Sequence, residues 1–176
     1  MASCTVLVED NIAFLEQARD VVSRLAGAEY AATGHPVFGS GVGAHLRHVL
    51  DHYSNLLAGL PSGAIDFDAR AREAAIETDR QAALARLDEL IAGLRALAGR
   101  PDQPVKIKMD CGDQSDPAGW WTDSSLRREL QFLISHTVHH YALIRIILKI
   151  QGIDVGPQFG VAPSTLRHHA RLSCAQ

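Results

Sequence analysis

The sequence predicts an all-α fold: an antiparallel four-helix bundle with a small β-hairpin inserted between the third and fourth helices. Three observations predict it. Four long segments repeat apolar residues every three or four positions, the period of a helix with one buried face. Glycine- and proline-containing stretches separate them, as expected of connections between neighbouring helices. One stretch, "PVKIKMDCG", instead alternates with a period of two, which suits a half-buried strand.

The first helix is expected over about residues 5–32, where Val8, Ile12, Leu15, Ala18, Val22 and Leu25 recur at helical spacing. "ATGHPVFGSG" breaks it. Ser40 or Gly41 opens the second helix, which carries Leu46, Val49, Leu50, Tyr53, Leu57 and Leu60 on one stripe and stops at "PSGA". The third, over about residues 76–98, shows Leu84, Leu87, Ile91, Leu94 and Leu97 and ends at Gly99 and Pro101. Val105, Ile107 and Met109 then alternate with Lys106, Lys108 and Asp110, and the turn-rich "GDQSDPAG" leads into "WWTDSS", the second strand of the hairpin. Thr122 or Asp123 is the expected cap of the fourth helix, which runs to about residue 150 and ends at Gly152. The remaining tail, 152–176, is too apolar for a disordered terminus and is expected to pack across the bundle, giving one domain over 1–176.

Composition narrows the function. A net charge of −3 and a pI near 6.3 offer no general attraction to nucleic acid or to an anionic membrane. No apolar run approaches the ~20 residues that span a bilayer, and the N-terminus does not read as a signal peptide. Cys4, Cys111 and Cys174 are far apart and unpaired by any CxxC spacing, as expected of reduced thiols in a cytoplasmic protein.

Nine histidines are unevenly placed, with His45, His48 and His52 on the second helix and His136, His139 and His140 on the fourth. His136 and His140 stack one turn apart, and Glu129, Phe132, Leu143 and Ile147 fall within about 40° of His136 at about 100° per residue. That direction is apolar, so the pair is expected to point into the bundle, with His139 to one side. A buried pair of imidazoles is hard to satisfy by hydrogen bonding alone, and a divalent ion solves the problem because both rings can reach it. The second helix leaves the third ligand open. His45 lies about 80° from the centre of its apolar stripe, His52 about 100° and His48 about 140°, which makes His48 the poorest choice by periodicity.

"SGVGAHLRHVLDHY" followed by "LQFLISHTVHHYALI" resembles the DinB/YfiT-like superfamily of four-helix-bundle proteins. The resemblance covers the helix order, both motifs and their separation. It implies that Gly43 is the glycine of the helix-opening turn and that His48, His136 and His140 are three ligands of a divalent transition metal, with His45, His52 and His139 as neighbours. The chain departs from many members after His140, where it reads "YALIRII" in place of Arg-Gly-Gln.

Three neutral ligands leave positions for water or substrate and suit zinc, nickel, iron or copper. Relatives implied by the resemblance include low-molecular-weight-thiol S-transferases, a thiol-dependent isomerase and the iron-binding domains of ergothioneine-type synthases. The expected function is therefore a metal-dependent enzyme of the thiol S-transferase or hydrolase type, acting on a small molecule such as a low-molecular-weight thiol, in a homodimer. The alternatives are a metal-binding or stress-response module without turnover, and a structural bundle whose histidines hold no ion. Asp51 and Glu129 are candidates for orienting the ligand rings. Arg47 and Arg145 are read mainly as surface arginines, with orientation of an anionic substrate as the alternative. Trp120 and Trp121 are expected to pack the hairpin onto the bundle, and His168 and His169 to be solvated. "GVGAH" lacks the lysine and preceding strand of a phosphate loop.

Overall fold

Residues 3–110 and 120–173 are described by a computed structural model, and they form a mostly helical fold with one small sheet. Four long helices carry it: α1 (Thr5–Arg24), α3 (Val42–Gly59), α5 (Arg80–Arg95) and α6 (Leu126–Ile150). α1 and α3 each pack on both α5 and α6. The short helices are α2 (Gly27–Ala31), α4 (Ala74–Thr78) and the tail helix α7 (Pro163–Ser173), and the strands are β1 (Ala64–Asp66), β2 (Pro104–Lys108) and β3 (Trp121–Ser125). Among the described residues, no helix is long and apolar enough to cross a membrane.

Two of the expected helices are each divided, because a carboxylate caps a second start. Leu25 and Ala26 are extended, and Glu29 accepts the Ala26 backbone N–H at 2.6 Å to open α2. Asp79 is extended and accepts the Gln81 N–H at 2.8 Å, so the expected third helix becomes α4 followed by α5. Helix α6 also starts later than the expected cap at Thr122 or Asp123. Both of those residues lie in β3, paired with Ile107 and Lys106, and Ser125 caps α6 by accepting from the Arg128 N–H.

The strands β2 and β3 pair antiparallel, and a third strand that periodicity did not predict, β1, pairs parallel to β2. Three residues are too few to show alternation, although Ile65 is fully buried. The turn expected between β2 and β3, and Cys111 and Cys174, lie outside the described residues. Cys4 is buried, and burial pushes its thiol up, which makes it a poor nucleophile.

One buried polar network ties three long helices together. Asn11 on α1 donates to the Leu130 carbonyl of α6 at 3.0 Å, and the Tyr53 hydroxyl of α3 donates to Asn11 Oδ1 at 2.8 Å and meets Thr137 Oγ1 of α6 at 3.1 Å. All three side chains are fully buried, so each hydrogen bond sets a relative position rather than merely solvating a surface. In the tail, Phe159 stacks on Tyr141 of α6 with 4.7 Å between ring centres, and Arg145 donates to the Pro157 carbonyl at 3.3 Å. Arg145 thus tethers the tail. His168 and His169 are exposed on α7.

Candidate metal centre

The site forms where α3 faces α6. Helix α3 approaches the chain closely at its first turn. A Cβ on Gly43 would sit 2.0 Å from the Glu77 carbonyl oxygen, so only glycine lets the start of α3 lie against α4. Arg47 then bonds Asp51 on its own helix at 2.7 Å and Glu77 of α4, and the second bond ties the outer side of α3 to α4. In this packing His45, His48 and His52 face α6.

His48, His136 and His140 come together: their ring centres lie 4.9, 4.6 and 4.6 Å apart, close to an equilateral triangle. One nitrogen from each can be chosen so that all three lie within 4.8 Å of one another. His48 Nε2 and His136 Nε2 are already 3.1 Å apart. Two imidazole nitrogens that share an ion at about 2.1 Å sit roughly 3.0–3.4 Å apart for angles between octahedral and tetrahedral, so this pair has the spacing of a shared ion. The donor set fits a divalent transition metal.

His45 and His52 flank the trio. His45 Nδ1 meets His140 Nδ1 at 3.2 Å, and the His52 Nδ1–H donates to the His48 carbonyl at 2.8 Å. His139 is exposed and lies 5.0 Å from the His140 ring. His52 stacks on Phe67, and Phe132 on His136, which closes one side with aromatic carbon.

Three expectations about the surroundings change. First, His136 and His140 do not point into the core. The buried face of α6 carries Leu133, Thr137, Tyr141, Ile144 and Leu148, about 100° around the helix, and the two histidines lie half-buried on its flank toward α3. Second, Asp51 is buried and bonded to Arg47, not to a ring. Third, Glu129 is fully buried and takes its hydrogen bonds from Ser124 and Arg128, at the far end of the helix start. The contacts made by the rings come from elsewhere: His45, the His48 carbonyl and Arg70. Arg70, in the loop after β1, donates to His48 Nδ1 at 2.9 Å. It had no periodic or motif signal, because it lies in irregular chain rich in charges of both signs.

Burial, reinforced by the neighbouring imidazoles, holds the rings neutral. His136 is lowered to about 2, His48 to about 3 and His140 to about 4, and burial lowers His45 and His52 as well. A neutral ring keeps one nitrogen lone pair, which a protonated ring lacks, so the trio stays competent to bind a metal at neutral pH. The same shifts set a pH dependence for the metal-free protein. From about pH 6.5 downward the unfolded chain takes up protons that these folded rings refuse, so stability is greatest above 6.5 and falls as pH drops toward 4 and below. The urea midpoint in excess chelator should be lower at pH 5.0 than at pH 7.5, with replacement of His48 and His136 by Gln reducing the difference. A midpoint that rises on acidification would contradict this cause.

A family model described as the DinB superfamily matches residues 13–144, a segment that contains all three histidines of the trio. FK506-binding protein 5 of Rhizopus delemar is 33% identical over 120 residues, covering 62% of this chain and 29% of that protein. The chain therefore spans less than a third of that relative's length. No solved structure matches.

Proposed function

This chain belongs to the DinB superfamily, and from that premise we propose that it is a metal-dependent enzyme of the thiol S-transferase or hydrolase type, with thiol transfer the preferred chemistry. The supporting observation is the triangle of His48, His136 and His140 with its 3.1 Å nitrogen pair. In this reading the four long helices form the antiparallel bundle of a single domain, 1–176, with the tail packed across it, and the protein works as a cytoplasmic homodimer on a small molecule.

His48, His136 and His140 would hold the ion, a divalent transition metal such as zinc, nickel or iron. When bound by three neutral ligands, such an ion keeps positions open and lowers the pKa of water there toward about 7, or holds a thiol as thiolate. The chain supplies the rest. With His140 coordinating through Nε2, its Nδ1–H would donate to His45 Nδ1 across the 3.2 Å contact, and the carbonyl of His48 sets the tautomer of His52. Phe67 and Phe132 exclude water from one side, which strengthens electrostatic interactions within the site.

The reading predicts that metal-loaded protein accelerates conjugation of a small thiol to an electrophile such as 1-chloro-2,4-dinitrobenzene. The acceleration should vanish in excess chelator and return with added metal. Full metal loading with no acceleration across cysteine, glutathione and smaller thiols would leave a metal-binding module in place of an enzyme.

A further inference from the structure

Arg70 is bound to a group that a metal would take away from it. Its guanidinium can only donate hydrogen bonds, so the 2.9 Å bond to His48 requires a lone pair on Nδ1. With Nδ1 accepting, the ring proton of neutral His48 sits on Nε2, the nitrogen facing His136. An ion held through that Nε2 would reverse the arrangement, because a neutral imidazole coordinating through one nitrogen carries its proton on the other. His48 Nδ1 would then present an N–H to Arg70, two donors would face each other, and the guanidinium would lose its partner.

Among the described residues no other side chain pairs with it. Among the described residues no carboxylate oxygen lies within 4.0 Å of Arg70, and its Nε is buried with no hydrogen-bond partner. The two acids nearest before it in sequence hold other partners. Asp66 takes Lys108 and the backbone N–H groups of Asp68 and Ala69, and Asp68 Oδ2 takes the Asp110 N–H. Arg47 differs sharply, since it is spent on both Asp51 and Glu77. The Arg70 backbone N–H donates to the Asp68 carbonyl at 2.8 Å, a tight turn within the loop that carries the side chain.

A half-buried guanidinium without a counter-ion, next to an ion with open positions, is a receptor for an anion attached to the metal-bound group. We infer that Arg70 recognises a carboxylate or other oxyanion on the substrate, so that the preferred thiol carries a negative group within a few bonds of its sulfur. This rests on the metal and thiol reading above and adds the substrate's charge to it.

The test uses the full chain loaded with Co²⁺, in which sulfur-to-cobalt charge-transfer absorption reports thiol binding. The probes are 3-mercaptopropionate, 2-mercaptoethanesulfonate and the neutral 2-mercaptoethanol. At least one anionic thiol should bind about tenfold or more tightly than the neutral one, and which one does so separates carboxylate from sulfonate recognition. Arg70→Gln should abolish that preference without reducing Co²⁺ uptake, and Arg70→Lys should retain part of it. Comparing variants cancels the intrinsic differences between the thiols. Full Co²⁺ loading with equal binding of anionic and neutral thiols, or an undiminished preference in Arg70→Gln, overturns the role of Arg70 alone. Failure of the wild-type protein to take up Co²⁺ overturns the metal reading, and this inference with it.

Discussion

His136→Ala is expected to cut bound transition metal from about one equivalent to near background, a loss of affinity of at least about 100-fold, since removing even outer partners of a ligand costs 10–100-fold. His136 stands at the centre of the constellation. Its Nε2 is 3.1 Å from that of His48, and its ring centre lies 4.6 Å from that of His140. Without it, the remaining two ligands come one from each helix, and a tripod becomes a loose pair. His139→Ala is the control one turn-face away, because that ring is exposed and only touches the edge of His140. Elemental analysis of both proteins after gel filtration, with circular dichroism to verify the fold, reads the result. Equal metal in the two variants would sink the assignment of the trio.

Gly43→Ala should lower stability by about 2–3 kcal/mol, an unusual outcome for a helical position. Helix propensity alone favours alanine there by about 1 kcal/mol. Close approach outweighs it: the new Cβ would lie 2.0 Å from the Glu77 oxygen, 2.7 Å from its carbonyl carbon and 3.0 Å from its Cα. All three are backbone atoms, so no rotamer change relieves the clash and α3 must move away from α4. The displacement strains one further tie between the two helices, the Arg47–Glu77 ion pair. Gly39→Ala has nothing within 4 Å of the added atom and should leave the urea midpoint close to wild type. If the two substitutions shift the midpoint equally, close packing is not the reason for glycine at 43.

What could be read from the chain alone followed from how local each signal is. The hydrophobic period persists over enough residues in α1, α3, α5 and α6 to identify each helix, and the alternation in "PVKIK" identified β2. Short elements escaped. β1 has three residues, and the breaks at Leu25–Ala26 and at Asp79 each depend on a single capping carboxylate. The tail helix α7 begins at Pro163, a favourable first helical position that the many glycines and prolines before it obscured.

Residue types and spacing were enough to single out two histidine-bearing helices and the one-turn separation of His136 and His140, because both are properties of a few consecutive residues. Which histidine of α3 faces them was not contained in that helix. Its apolar stripe disfavoured His48, whose approach to His136, 88 positions away, depends on how α3 packs, including its close contact with α4 at Gly43 and Arg47. Arg70 reaches the site from a loop with no periodicity at all. Only the tertiary structure decided these points, because a hydrogen bond or a shared ligand position between distant segments depends on how whole helices pack, and that packing is a sum over many contacts that no short window of sequence contains.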